Sequence, residues 1–236
     1  MGDFQGFGVE TFRFLEELEQ NNERPWFNEN KQRYEESVLE PALDFIAAMN
    51  ARLPAISDHF VAIPKRTGGS LMRVYRDTRF SKDKTPYKTN IGMQFRHERG
   101  KDVHAPGFYV HIQGETCFLA AGMWHPERNA LEAIRTAIFE HSAKWKRARD
   151  NRRFRGVFDL GGSSLKRPPR GYPPDHPYLE DLKRKDHIAV CNVERSEAGS
   201  PGLGAPVGGH VSAPPGEQWY HSGPPRRRHR AARGRG

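Results

Sequence analysis

Three short runs, Asn90 to Arg96, Phe108 to Gln113 and Thr116 to Met123, alternate apolar and polar residues, and only Gly114 and Glu115 separate the last two. Side chains on a strand switch faces at every residue, so this period of two makes each run a strand with one apolar face. Glycine relieves the backbone in a two-residue loop, which joins the last two runs as an antiparallel hairpin. Leu71 to Arg76 alternates as well, and His187 to Cys191 reads as a possible last strand. Met72 and Val74, then Ile91, Met93 and Phe95, then Phe108, Val110 and Ile112 are expected to share the apolar face. Arg73 and Tyr75, Gln94 and Arg96, and Tyr109 and His111 fall on the other. A polar second face is common in antiparallel sheets and needs no ligand. Tyrosine and histidine among arginine and glutamine also fit a partly covered surface that recognises something polar, and both readings stand.

Helices surround these strands. Residues Val9 to Gln20 carry Phe12, Leu15 and Leu18 at helical spacing with Glu16, Glu17 and Glu19 opposite. Pro25 opens a second helical region with Phe27, Tyr34, Val38, Phe45, Ile46, Met49 and Leu53 in its apolar stripe; Pro41 predicts a kink or a break near Glu40, and Pro54 marks the end. Trp26 and Tyr34 read as core aromatics. After the fourth strand, His125-Pro126-Glu127 opens a helix with Leu131, Ile134, Ile138 and His141 as its buried stripe, and its start is a second possible anion site. The expected architecture is a single α+β domain over residues 1–195, with helices on one face of an antiparallel sheet of four or five strands.

The densest chemistry lies between two of the strands, in Arg73-Val74-Tyr75-Arg76-Asp77-Thr78-Arg79-Phe80-Ser81-Lys82-Asp83-Lys84-Thr85-Pro86-Tyr87-Lys88. Six cations face two acids there. Guanidinium forks and ammonium groups bind phosphate or carboxylate, and Asp77 and Asp83 can orient the arginines. A salt-bridged, solvated hairpin is the plainer reading.

These residues also carry a resemblance. The run R-x-Y-R-D-x-R-F-S-x-D-K-x-P-Y-K resembles the signature of a bacterial and fungal family of conserved hypothetical proteins, domain of unknown function 2461. Arg24-Pro25-Trp26-Phe27 with Asn30, Lys31 and Tyr34 match it too, as do Leu165 to Tyr172 with Asp175-His176-Pro177. The resemblance spans about residues 4–190 and implies a fold but no activity. The Pro-rich loop Leu165 to Pro177 is expected to fold back beside Arg76 to Lys88, so that Arg170 and Tyr172 complete a cationic site.

The formal net charge is +9, but six arginines against two glutamates place +4 of it in residues 196–236, leaving +5 for the rest. The body is only mildly basic, which weakens the case for nucleic acid. Ser142 to Arg155 adds a helix-compatible basic stretch interleaved with Trp145 and Phe154; a solvated helix face with two core anchors is favoured over a nucleic-acid binder. No run of about 18 apolar residues predicts a membrane span, and the N-terminus lacks the pattern of a secretory signal. Cys117 and Cys191 are far apart, which fits a reducing cytoplasm. No metal-ligand spacing, phosphate loop, nucleophile elbow or dinucleotide fingerprint occurs, so neither metal nor cofactor is expected. After a short helix at Leu179 to Lys185, residues 196–236 hold nine Gly and six Pro without periodicity, and read either as a disordered tail or as translation in a wrong frame.

The expectation is a site for a small anionic ligand, phosphorylated or carboxylated. Its residues are Arg73, Tyr75, Arg76, Asp77, Arg79, Asp83, Lys84, Tyr87, Lys88, Tyr109, His111, Arg170 and Tyr172, with His111 the acid/base candidate. Nucleic-acid binding and a non-catalytic scaffold are the alternatives.

Overall fold

The computed structural model describes residues 4–98 and 106–203. In chain order, helices α1 (Val9–Gln20), α2 (Arg24–Glu29), α3 (Lys31–Tyr34) and α4 (Glu40–Arg52) precede strands β1 (Phe60–Val61), β2 (Ile91–His97), β3 (Gly107–Gln113) and β4 (Thr116–Met123). Then follow α5 (Arg128–Glu140), α6 (Ser142–Arg149), α7 (Arg152–Arg155), β5 (Asp159–Gly161), α8 (Leu179–Leu182), β6 (His187–Val193) and α9 (Arg195–Ala198). The strands form one six-stranded antiparallel sheet in the order β1-β2-β3-β4-β6-β5. The α+β architecture is therefore as expected, with one more strand than the sequence suggested.

Register follows the alternation. Ile91 pairs Ile112, Met93 pairs Val110 and Phe95 pairs Phe108, while Val110 and Ile112 pair Leu119 and Cys117. All of these are buried and meet Phe14, Leu18, Phe45 and Ile46 of the helical layer in one core. A smaller core of Ile138, Trp145 and Leu182, joined by Leu160, Tyr172 and Tyr178, covers the β6–β5 end of the sheet on the same side.

Three expectations need correction. Leu71 to Arg76 is not a strand: Met72 N–H donates to Gly92 O and Ser70 O accepts from Gln94 N–H, after which Arg76 N–H donates to Pro86 O and Val74 O accepts from Lys88 N–H. The run divides its backbone bonds between the edge of β2 and a hairpin of its own, leaving only isolated bridges Leu71–Met93 and Tyr75–Tyr87. Its facing is also reversed at the start. Leu71 enters the core, whereas Met72 lies over Gly92 beside the Tyr109 hydroxyl on the opposite face, the consequence of a one-residue slip in register. Secondly, residues 196–203 belong to the body: Ala198 and Leu203 are fully buried, Ala198 O accepts from Phe7 N–H, and the Arg52 guanidinium donates to Pro201 O and Leu203 O. The remainder of the proposed tail, 204–236, lies outside the described residues. Thirdly, the helix expected from His125 begins at Arg128; Arg135 of α5 is buried, while His141, just past its end, is exposed. Arg135 donates to the carbonyls of Leu182 and Arg184, which satisfies the end of α8.

Pro41 does not break the helical run. A π-helical turn, Glu35–Leu39, precedes it, and Pro41 occupies the first turn of α4. Proline has no N–H to offer Ser37 O four residues back, and the buried Thr11 hydroxyl donates to that carbonyl instead at 2.6 Å. Thr11→Val keeps the shape and removes the donor, so chemical denaturation is expected to show a loss of about 1–3 kcal/mol.

His187 titrates with consequences for stability. Burial, then the charges of Arg184 and Arg135, lower its pKa to about 4, against the pull of Asp181 and Asp186, and its Nε2 is buried without a partner. The unfolded chain binds a proton near pH 6.5 that the folded chain refuses until about pH 4. Stability contributed by neutral His187 is therefore complete above pH 6.5 and lost as the pH falls toward 4. Urea unfolding at pH 7 and pH 4.5 is expected to show a loss roughly 2–3 kcal/mol larger in the wild type than in His187→Leu.

Candidate functional site

Residues 73–88 form a hairpin that leaves the sheet beside β2 and is clamped to the helical layer. Asn22, just after α1, bonds Tyr87 twice: its Nδ2 donates to Tyr87 O and its Oδ1 accepts from Tyr87 N–H. The Tyr87 ring is buried and stacks on Phe27 at 4.0 Å between centroids, with Tyr75 and Tyr34 on the same cluster. Trp26 and Tyr34 pack against Phe14, as core aromatics should, and burial raises the Tyr34 phenol to about 12.

Both acids of the hairpin are paired with arginines of the same hairpin. Arg76 donates to Asp83 and to the Thr85 hydroxyl, the Arg79 fork grips Asp77, and Lys84 Nζ donates to Thr78 O. Asp83 is held below the usual carboxylate range by the Thr85 N–H and hydroxyl and then by Arg76, and Asp77 by Arg79. Arg73 differs. Its guanidinium has no hydrogen bond or ion pair among the described residues, and its carbonyl accepts from the half-buried Lys88 Nζ at 2.9 Å. Burial, then the nearby Arg73 charge, lowers the Lys88 pKa.

Between Lys88 and β2, Thr89 and Asn90 join a polar chain on the open face of the sheet. The His111 ring lies flat on Phe118 at 4.7 Å. Gln113 Nε2 donates to the Thr89 hydroxyl, so Gln113 Oε1 accepts from His111 Nε2–H at 3.1 Å. The Nδ1 lone pair is thus left to accept from the Tyr109 hydroxyl at 3.1 Å and from Asn90 Nδ2 at 3.4 Å. Burial lowers the His111 pKa against the Gln113 bond and raises that of Tyr109 against the Asn90 bond. Both imidazole nitrogens are occupied, which suits a group that positions Tyr109 and Gln113 better than one that exchanges protons. Gly92 is required below: a Cβ there would come within 2.9 Å of the Tyr109 oxygen.

Arg170 and Tyr172 do not join this constellation. Tyr172 packs into the second core, donates to Glu132 of α5 at 2.9 Å and meets Phe139 edge-on, so the Pro-rich loop belongs to the β6–β5 end of the sheet, opposite the hairpin's edge. The aromatic anchors decide where the loop leads. In the basic stretch, the Trp145 indole is buried and donates to Asp181, and Arg149 bonds Asp150 and Asp181. Thr89, Asn90, Gln113 and Phe118 escaped attention in the sequence because a strand's polar residues acquire meaning only once register sets them side by side.

Among the described residues no group of three or more His, Cys, Asp or Glu could hold a metal ion, and no helix is long and apolar enough to cross a membrane. No curated protein and no solved structure gives a significant match to the chain. The family profile described as conserved hypothetical protein, domain of unknown function 2461, matches residues 10–213. That span includes the hairpin, the polar face and the Pro-rich loop, and the chain belongs to this family.

Proposed function

We propose that the chain binds a small anionic ligand, phosphorylated or carboxylated, where the base of the hairpin meets the polar face of the sheet. The observation that carries this reading is the pairing of Arg73, a guanidinium without a partner among the described residues, with Lys88, a half-buried ammonium whose charge is disfavoured by burial and by Arg73 itself. An anion seated between them satisfies both and relieves their repulsion. Tyr109, Asn90 and Gln113, held by His111, supply neutral polar contacts for the rest of the ligand. Arg76, Arg79, Asp77, Asp83 and Lys84 keep the hairpin in shape.

A thermal-shift screen with pyrophosphate, sugar phosphates, citrate and short oligonucleotides, at low and moderate salt, tests this. A small anion at 100 times its Kd is expected to add about 2.7 kcal/mol of stability to the wild type, and nothing to Arg73→Gln. Stabilisation only by oligonucleotides, vanishing with salt, would replace this reading by nucleic-acid binding; no shift with any ligand would leave the hairpin a scaffold.

A further inference from the structure

At the other end of the strands from the hairpin, where β4 ends and β6 begins, several unusual backbone positions converge on one carboxylate. Asp186 is 2% exposed. Its Oδ1 accepts from the backbone N–H of His125 at 2.8 Å and lies 2.7 Å from His125 Nδ1, while Oδ2 accepts from the N–H and the hydroxyl of Ser163. Among the described residues His125 is the one non-glycine with a left-handed backbone, φ +48°. Gly162, at φ +94°, comes so close that a Cβ there would stand 2.4 Å from that of Asp186. A left-handed backbone at a residue with a Cβ persists only where its surroundings over-determine it, and such places cluster at functional sites.

The ring chemistry follows. Burial alone would raise the Asp186 carboxyl, but the hydrogen bonds from Ser163 and His125 outweigh it and hold it at about 2. An ionised carboxylate only accepts, so Nδ1 of His125 carries a proton, and in the neutral ring the lone pair is on Nε2. Nε2 has no partner among the described residues, the side chain is 51% exposed, and Trp124, 52% exposed, stacks on it at 4.2 Å. A structural staple needs none of this, since asparagine tolerates the left-handed conformation and can also donate to Asp186.

We propose that Trp124, His125 and Asp186 form a second site, a general-base centre that activates water against a small ester whose ring lies on Trp124. As the water oxygen bonds to the acyl carbon, its proton passes to Nε2. Collapse of the adduct breaks the ester C–O bond, the phenoxide or alkoxide departs with the electron pair, and the imidazolium returns the proton to it or to solvent. Asp186 stays ionised and holds the Nδ1–H throughout.

The probe is p-nitrophenyl acetate with the full chain, read as p-nitrophenolate release, with unfolding curves for each variant. The expected rate is saturable and about 100-fold above that of free imidazole at equal concentration. His125→Asn falls to the background of the other histidines, and Trp124→Leu raises KM with little change in kcat. A non-saturable rate no faster than imidazole, or one that persists in a folded His125→Asn, overturns the proposal. Should His125→Asn fail to fold, Trp124→Leu decides: an unchanged KM overturns it.

Discussion

Phe27→Ala is expected to lower the free energy of unfolding by about 3–5 kcal/mol and to loosen the hairpin from the body. Phe27 is buried at the centre of a ring cluster, stacked on Tyr87 and in contact with Phe14, Tyr34 and Tyr75. Removing it opens a cavity under Tyr87, which the pair of bonds to Asn22 still ties to the helical layer. Denaturant unfolding reads the stability, and hydrogen exchange at Tyr87 and Lys88 reads the hairpin. Protection there that stays at the wild-type level would contradict the clamp. Because Arg73 and Lys88 lie at the hairpin base, the same variant is expected to lose anion-dependent stabilisation even where the chain stays folded.

A loss of similar size, about 3–5 kcal/mol, is expected for Asp181→Ala. This buried carboxylate accepts from the Trp145 indole and from Arg149, and Arg184 reaches its other oxygen at 3.4 Å. Without it an indole N–H is buried unpaired and two partly buried guanidinium groups lose a counter-charge, although Arg149 retains Asp150. The cost falls on the second core under α5, α6 and α8, far from the hairpin, so anion binding by the folded variant is expected to persist. A change below about 1 kcal/mol, the range of exposed pairs, would mean that solvent reaches the cluster and screens it.

Much of the scaffold was legible in the sequence because strand alternation and helix period are local signals. β2, β3, β4 and β6 lie within a residue or two of their expected positions, and Phe45, Phe95 and Val110 face the core as their periods require. β1 and β5, of two and three residues, are too short to show any period. The run Leu71 to Arg76 does alternate, yet alternation cannot tell that backbone bonds pass from β2 to the segment near Pro86 partway along. The charged signature maps onto the hairpin, but spacing alone could not separate the arginines committed to Asp77 and Asp83 from Arg73, whose guanidinium has no partner among the described residues. Arg170 and Tyr172 were assigned to the wrong end of the molecule because a proline-rich path has direction only after its aromatic anchors, Tyr172 on α5 and Tyr178 in the second core, have found their partners.

In the proposed site an anion is held by Arg73 and Lys88 next to the Tyr109–His111–Gln113 chain. Side-chain ¹⁵N spectra of His111 during a titration with pyrophosphate at low salt test this arrangement. The free protein is expected to show the neutral tautomer protonated at Nε2, and the His111 nitrogens to shift saturably with the anion in the wild type but not in Arg73→Gln. A His111 spectrum that stays still while pyrophosphate binds elsewhere, or that shifts equally in Arg73→Gln, would contradict it.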